Sequence, residues 1–277
     1  MPDESGAIRI APFAELAGEE IVGLIFEVAP RKVAARVGKA LDHYTKALRL
    51  RGIDDEMGAI RLIAAEEELV VAIFEWLKLN AAAMPEHRDF IGKHKNHRVK
   101  LAFHPVLSQF RFVLGDMLTH GITVDGLEDV LHWHVTPARI GNRVLLRISD
   151  GAGKELLTHN PLAVAVARDD RTDDEVIGAM YDDFARLIRE QHGKDVRAFV
   201  TERAEYRNKL LYAEDAGFLS MAESLDELIE SAFRTTLRDL LWCLAVLLTN
   251  APVRPDYGLV AQFVGLYRRV LAECRLA

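Results

Sequence analysis

The chain has 277 residues, of which 50% are hydrophobic and 28% are charged, and its formal net charge is −7. This composition is typical of a folded globular protein and excludes a disordered, collagen-like or disulfide-rich chain. The acidic balance argues against a protein that coats nucleic acid, but it leaves room for a local basic site.

Cysteine usage and the N-terminus indicate the compartment. Cys243 and Cys274 lie in apolar helical contexts and form no CxxC pair, which disfavours a disulfide framework or a thiolate zinc site. The first residues lack the basic start and apolar core of a signal peptide. The longest apolar run, Leu240 to Leu248, is far shorter than the roughly 20 residues of a membrane span. We therefore predict a cytoplasmic protein that does not enter a membrane.

Apolar residues at three- and four-residue spacing predict helices in the first third of the chain. A helical piece over 14–28 ends before Pro30. A helix over 31–51 and a long helix over 57–79 flank the turn at Gly52–Asp55, which offers an N-cap. Because this turn is short, we expect the two helices to pack antiparallel.

Three consecutive acids, Glu66, Glu67 and Glu68, lie inside the long apolar helix over 57–79. A helix of this width turns at least one of them toward its packed side. An ion pair with a base from another helix is the commoner explanation for such a glutamate.

The middle of the chain changes character twice. The polar, histidine-rich stretch 81–97 is predicted to be a loop, and 98–119 a helix with Pro105 near its start or at a kink. A short helical or irregular piece follows over Leu127–His134. The strands Val144–Ser149 and Glu155–His159 then flank a Gly-rich turn and predict a hairpin, with 163–167 as a candidate third strand.

The C-terminal part shows helix start and stop signals. Thr172–Glu175 is a capping box that opens a helix ending at Gly193, and a second helix over 196–216 ends at Gly217. Ser220–Glu223 has the same capping-box pattern.

The helix that follows Ser220–Glu223 ends before Asn250, and Pro255 suits the first turn of the last helix. The predicted fold class is therefore mainly α, a helical bundle with a small β-hairpin insertion. We divide the chain into an N-terminal helical portion over 1–138, a β-hairpin insertion over 139–170 and a C-terminal four-helix portion over 171–277. The alternative is one continuous domain.

A basic, histidine-rich segment spans His87–Arg111, with six Lys or Arg, one acid and four of the ten histidines. One interpretation is an anion or phosphate-backbone site with histidine acid–base chemistry. The alternative is a solvated basic loop beside an acidic body. A further alternative is a structural role, with the segment neutralised by the acidic stretch Asp169–Asp183. Candidate binding residues are Arg88, Lys93, His94, Lys95, His97 and Lys100.

Motifs of cofactor and metal sites are missing from the sequence. It contains no Gly-x-Gly-x-x-Gly, P-loop or Gly-x-Ser-x-Gly pattern, which disfavours nucleotide-binding α/β enzymes and common serine hydrolases. His94 and His97 are three residues apart, but no HExxH is present. We predict no cofactor and no metal site.

Two segments together resemble the HEPN superfamily of helical proteins, which are often RNA-cleaving, toxin-like or linked to phage defence. The helix pair containing His43–Leu48 and Ile60–Leu69 looks like that family's opening antiparallel pair. Glu205–Tyr212 resembles its Arg, polar residue, spacer, His signature through Arg207 and Asn208, with Tyr212 where the family has His.

The resemblance implies metal-independent RNA cleavage, with an imidazole as acid or base and an arginine stabilising the phosphorane-like charge. Arg98 with His104 ranks first for these two roles, and Arg88 with His94 ranks second. In that family the site generally forms across a dimer, which the apolar terminal helices could support.

Three function classes follow from the sequence. We favour a non-catalytic interaction or regulatory protein, with a protein partner or a second copy of the chain and an exposed apolar patch. A HEPN-like protein that binds or cleaves RNA is the first alternative and predicts salt-sensitive RNA binding through 88–111. A small-molecule binder or enzyme with an enclosed pocket in the helical core is the second.

Overall fold

A computed structural model describes residues 4–83, 88–109, 134–150, 152–163, 172–212, 221–250 and 258–276. Within these ranges the fold is mainly α-helical with a small antiparallel sheet, so the predicted fold class is confirmed. The helices are α1 (Glu4–Ala17), α2 (Glu19–Val28), α3 (Arg31–Leu50), α4 (Asp55–Leu79), α5 (Arg88–Ile91), α6 (His97–Leu101), α7 (103–109), α8 (Asp173–His192), α9 (Val196–Leu211), α10 (Leu225–Leu228), α11 (Arg234–Thr249) and α12 (Gly258–Glu273). The strands are β1 (His134–Ile140), β2 (Arg143–Ser149) and β3 (Glu155–His159).

The first two helices are separated at Gly18, although the sequence predicts one helical piece over 14–28. Gly18 has a φ of +91°, a region that a residue without a side chain enters at little cost. α2 then begins with Glu19 and Glu20, whose charges suit a helix N-terminus. Periodicity alone does not distinguish Gly18 from Gly23, which stays inside α2.

α3 and α4 form the predicted antiparallel pair. Asp54 caps α4 by accepting a 3.0 Å backbone hydrogen bond from its first turn. Arg36 contacts Glu68, and His43 contacts Arg61. The later residue of α3 thus contacts the earlier residue of α4, as expected for two antiparallel helices.

The stretch 81–97 is predicted to be a loop, yet its described residues form short helical turns. One 3-10 turn covers Ala81–Ala83, and a second follows α5. Phe90 and Ile91 are buried and anchor this stretch to the core. The polar residues around these two anchors concealed the helical pattern, and residues 84–87 lie outside the described part.

The helix predicted over 98–119 is confirmed as far as residue 109, where the described range ends. A turn at Ala102 divides it into α6 and α7. The Asn96 side chain accepts a 2.9 Å hydrogen bond from the Arg98 N–H and caps α6. Pro105 lies in the first turn of α7, where its missing N–H costs no helical hydrogen bond.

The predicted hairpin is confirmed as β2 and β3, which pair antiparallel. β1 is the third described strand; it precedes β2 and pairs with it antiparallel along its length. Of the strand predicted over 163–167, Ala163 ends a 3-10 turn and the rest lies outside the described residues. β1 begins at His134, the last residue of the piece predicted as helical or irregular over 127–134. The sequence did not predict this strand, because Pro137 obscures its strand pattern.

α8 has the predicted boundaries. Thr172 and Glu175 form the capping box, and Gly193 ends the helix with a φ of +65°. α9 ends at Leu211, earlier than the predicted residue 216, because Tyr212 is extended with φ −129° and ψ 138°. Residues 213–220 lie outside the described part.

The helix predicted to open at Ser220–Glu223 begins later, at Leu225, and its capping box is formed by Ser224 and Glu227. The Glu227 carboxylate accepts a 2.8 Å hydrogen bond from the Ser224 N–H, and Ser224 accepts from the Glu227 N–H. Both serines have the same sequence pattern. Leu225, the first residue of the helix, is fully buried, and Ser220 lies outside the described residues.

A π-turn at Ile229–Phe233 joins α10 to α11, which ends before Asn250 as predicted. The apolar run 240–248 lies within α11. In the described ranges, no helix combines the length and the apolar content that crossing a bilayer requires. Pro255 lies outside those ranges.

Buried apolar side chains of the helices and the sheet form one cluster. The Tyr267 hydroxyl donates a hydrogen bond to the Val99 carbonyl inside it. Val144 of β2 belongs to the same cluster, so the sheet packs against the helices. Three phenylalanine rings contact the Tyr267 ring edge to face, with ring centroids at most 6.4 Å apart: Phe74, Phe90 and Phe103.

Candidate functional site

Charged side chains from three helices meet where α4, α6 and α9 pack together. α4 supplies two glutamates, α6 supplies three basic residues, and α9 supplies an arginine and a glutamate. We call this group the charged junction: Glu66, Glu67, His97, Arg98, Lys100, Arg203 and Glu205. It contains three of the site residues that the sequence predicts, since His97, Arg98 and Lys100 all belong to it.

Glu67 is buried and binds two basic side chains of α6. Lys100 Nζ lies 2.6 Å from its Oε2, and His97 Nδ1 lies 2.6 Å from its Oε1. Lys100 is buried beside the carboxylate, whereas the His97 ring is half-exposed. A buried ammonium that has lost its hydration needs such a partner. The contact therefore ties α6 to α4.

Glu66 is 0% exposed and pairs with Arg203 of α9. One guanidinium nitrogen, Nη2, lies 2.8 Å from both carboxylate oxygens. The Nε of the same guanidinium donates to the Leu101 carbonyl at 3.1 Å. Arg203 thus joins α4, α6 and α9 through one side chain.

Glu68 completes the run of three glutamates and faces the surface. Its partner is Arg36 of α3, with 3.0 Å between Nη1 and Oε2. Each of the three glutamates therefore has its own basic partner from another helix. The expectation of an ion pair at an inward-facing glutamate is confirmed at both Glu66 and Glu67.

Arg98 and His104, the first-ranked pair of the HEPN resemblance, contact different helices. Arg98 pairs with Glu205 of α9 at 3.2 Å, and both side chains are about two-fifths exposed. His104 is largely buried against α11, with Nδ1 3.2 Å from Thr236 Oγ1 and Nε2 3.5 Å from Asp239 Oδ2. The described contacts of the two residues share no common partner.

His94 lies partly buried beside Phe74 and accepts from a lysine. Lys78 Nζ is 3.2 Å from His94 Nε2, and His94 Nδ1 donates to the Ile91 carbonyl at 3.3 Å. Burial and the positive charge of Lys78 lower the pKa of His94. The same ammonium pairs with Glu75 at 2.6 Å and lowers the pKa of that carboxyl. His94 is therefore held in its neutral form.

The remaining candidate residues are dispersed. Lys95 is exposed and Lys93 half-buried, and neither makes a side-chain pair in the described ranges. Arg207 is half-buried on α9, with an Nε that has no hydrogen bond to any described residue, and Asn208 is exposed. The backbone of Arg88 lies in α5, and its side chain lies outside the described part.

The charged junction neutralises itself. Its three glutamates match two arginines and one lysine in charge, and His97 contributes a positive charge only when it is protonated. The sequence leaves open a neutralisation by the stretch Asp169–Asp183, and none of its described residues, 172–183, pairs with the basic segment. The acids come from α4 and α9 instead, because those are the helices on which α6 packs.

A second feature, the outer edge of the sheet, has a different character. The strand order is β1-β2-β3, so β3 pairs with β2 alone among the described strands. All residues from Glu155 to Thr158 are exposed, including Leu156 at 41% and Leu157 at 45%. The sequence indicated this hairpin but not its exposed edge, because hairpin signals do not reveal what covers the outer strand.

An open groove of about 600 Å³ lies between the start of α8 and one face of α12. Its polar lining mixes both charge signs, and Gln262 donates to Asp173 across it at 3.3 Å. This groove is not the enclosed core pocket that a small-molecule site would require. Its charged lining residues are Asp173, Asp174, Arg268 and Arg269.

Among the residues that the structure describes, no three His, Cys, Asp or Glu side chains are grouped as metal ligands. Comparison of the chain with protein-family models, with curated proteins and with solved structures finds no match.

Proposed function

We propose that this chain is a non-catalytic interaction protein and that the outer edge of β3 is its docking surface. The observation that carries the proposal is the exposure of β3, which pairs on one side only among the described strands. An edge strand offers unpaired N–H and C=O groups that a second strand can bind. Leu156 and Leu157 add apolar area to that edge.

The arrangement of the basic segment also favours this class over a catalytic one. His97, Arg98 and Lys100 are each bound to a glutamate of α4 or α9. Groups held in such pairs fix helices against one another, and they leave little net positive charge for a phosphate backbone. The charged junction is therefore assigned a structural role in support of the docking surface.

The proposal is tested by affinity capture with three forms of the protein. Leu157→Asp places a charge on the β3 edge, and Leu79→Asp is the matched control at an exposed leucine that ends α4. We expect proteins that bind the unaltered chain and the Leu79→Asp variant to be lost with Leu157→Asp. Equal capture by all three forms would remove the β3 edge from consideration.

The HEPN-like alternative is tested with labelled RNA, with and without a chelator, at low and physiological salt. Arg98→Ala and His104→Ala are assayed alongside the unaltered chain. The proposed function predicts no cleavage by any of the three. Chelator-resistant cleavage that both substitutions abolish would replace the interaction proposal with a nuclease.

A further inference from the structure

The outer face of α3 is strongly basic, although the whole chain has a net charge of −7. The helix contains six Lys or Arg, all of them exposed, and a single acid, Asp42. Its apolar residues, such as Val37 and Tyr44, pack into the core on the opposite side. We infer that this face binds the surface of an anionic phospholipid bilayer without entering it. This binding does not involve β3 and is a second property of the molecule.

The basic side chains of this face lie in one row along the helix. Lys32, Arg36, Lys39, His43 and Lys46 follow one another at spacings of four and three residues in turn. Residues at these spacings share one side of a helix, and the row is about 21 Å long at roughly 1.5 Å per residue. A straight row on a convex surface can touch a plane along its whole length. The geometry therefore suits the plane of a bilayer.

The carboxylates beside the row are too few to neutralise it. Asp42 is shared by two lysines, with Lys39 Nζ at 3.1 Å and Lys46 Nζ at 2.9 Å from the same oxygen. Glu68 of α4 pairs with Arg36. The other three cations of α3 form no ion pair within the described part of the chain: Arg31, Lys32 and Arg49.

The adjoining surface of α4 adds no net negative charge. Arg61 contacts His43 of the row at 3.2 Å, and Lys78 pairs with Glu75 at 2.6 Å. These two cations match the two acids of α4 next to the row, Glu68 and Glu75. Acids on other faces act through solvent that screens charges over about 8 Å at physiological ionic strength. The basic face therefore presents a local positive field.

The make-up of this face favours a bilayer over a nucleic acid. Clusters of roughly four to eight Lys or Arg on an amphipathic helix are typical of binding to anionic lipid headgroups. Single-stranded nucleic acid would need exposed aromatic side chains on which its bases stack, but Tyr44, the one aromatic residue of α3, is buried. A duplex is read by an element that enters a groove, whereas α3 lies lengthwise against α4.

Vesicle co-sedimentation tests the inference with the full chain. Vesicles made from equal amounts of phosphatidylcholine and phosphatidylglycerol are compared with vesicles of phosphatidylcholine alone. One variant neutralises three cations of the row: Lys32→Gln, Lys39→Gln and Lys46→Gln. The matched control neutralises three exposed cations around the turn between α8 and α9: Arg189→Gln, Lys194→Gln and Arg197→Gln. Glutamine keeps a good helix former at these surface positions, so both variants should fold.

Each basic residue near an anionic surface contributes about fivefold in affinity. We therefore expect the α3 variant to bind the phosphatidylglycerol vesicles about 100-fold more weakly than the unaltered chain, and the control variant less than about threefold more weakly. Binding should also fall as salt is raised and be absent with phosphatidylcholine alone. No binding by the unaltered chain, or equal binding by the two variants, would overturn the inference. Tighter binding to duplex DNA than to vesicles, lost in the α3 variant, would assign the face to a nucleic acid instead.

Discussion

At the scale of single residues, the neighbouring glutamates of α4 provide a matched comparison. Glu66 is fully buried and pairs with the partly buried Arg203, while Glu68 pairs with Arg36 at the surface. Removing one partner of a buried ion pair leaves the other uncompensated, whereas surface pairs contribute little. We expect Glu66→Gln to lower the free energy of unfolding by about 3 kcal/mol and Glu68→Gln by about 0.5 kcal/mol. Denaturant unfolding of both variants measures this, and equal losses would contradict the buried assignment.

Two histidines predict how stability depends on pH. His43 accepts from Arg61 at 3.2 Å, and His94 accepts from Lys78. Burial, together with neighbouring cations, lowers the pKa of both below their ordinary value of 6.5. A lowered native pKa means that the unfolded chain binds more protons, so the stabilisation is complete above 6.5 and is lost as the pH falls through the native values.

We therefore expect the free energy of unfolding to fall as the pH decreases from 6.5 toward the lowered pKa values of these two histidines. This window lies above the titration of Glu75 and Asp42, whose pKa values are also lowered, by Lys78 and by Lys46. The double change His43→Gln with His94→Gln should flatten the decline. An unchanged pH dependence in that variant would show that other groups cause it.

The sequence predicted the residue-scale chemistry in part. Three glutamates inside an apolar helix are enough to predict an ion pair, because a buried carboxylate requires one. The identity of the partners was not predictable, since Arg203 lies 137 positions from Glu66 along the chain. His104 could be selected as a candidate from the sequence, but its burial against α11 could not be predicted, because Thr236 and Asp239 are also far from it along the chain.

At the scale of elements, two helical glycines give a second comparison. A Cβ on Gly58 of α4 would overlap the side chain of Leu225, which is fully buried in the core. A Cβ on Gly38 of α3 would meet nothing within 4 Å. Gly58→Ala should destabilise the fold by about 1–3 kcal/mol, while Gly38→Ala should stabilise it by up to about 1 kcal/mol.

Thermal unfolding of the two alanine variants would show shifts of opposite sign. A stabilising Gly58→Ala substitution would mean that α10 does not pack against α4 as described. Because both glycines lie inside long helices, helix propensity alone predicts the same gain for each, and only the packing distinguishes them.

Element boundaries were predictable where a local signal determines them. As the sequence indicates, α4 begins after Asp54, and α8 begins after Thr172 and ends before Gly193. These signals are local, because the capping side chains and the backbone angle of Gly193 act within one helical turn. Local signals did not discriminate between Ser220 and Ser224, or between Gly18 and Gly23. Ser224 caps α10 and Gly18 separates α1 from α2, and periodicity carries no information about either outcome.

At the scale of the whole molecule, the sheet is joined to the helical body at the end of α11. The Asn250 side chain donates to the Val144 carbonyl at 2.7 Å, and the Val144 N–H donates to Thr249 Oγ1 at 3.0 Å. Asn250 is buried, so its loss leaves the carbonyl of β2 without that donor.

We expect Asn250→Ala to cost about 2 kcal/mol and to increase hydrogen exchange in β2. Asn208→Ala is the control, since Asn208 is exposed on α9. Unchanged exchange in β2 would show that the sheet is held by its apolar contacts and not by this hydrogen bond.

We propose that this protein binds another chain through the β3 edge. A photoactivatable residue at position 157, compared with one at the exposed position 79, tests it most directly in cells. We expect a protein adduct at 157 and none at 79, and the mass of that adduct identifies the partner. Adducts of equal yield at both positions, or none at 157, would contradict it.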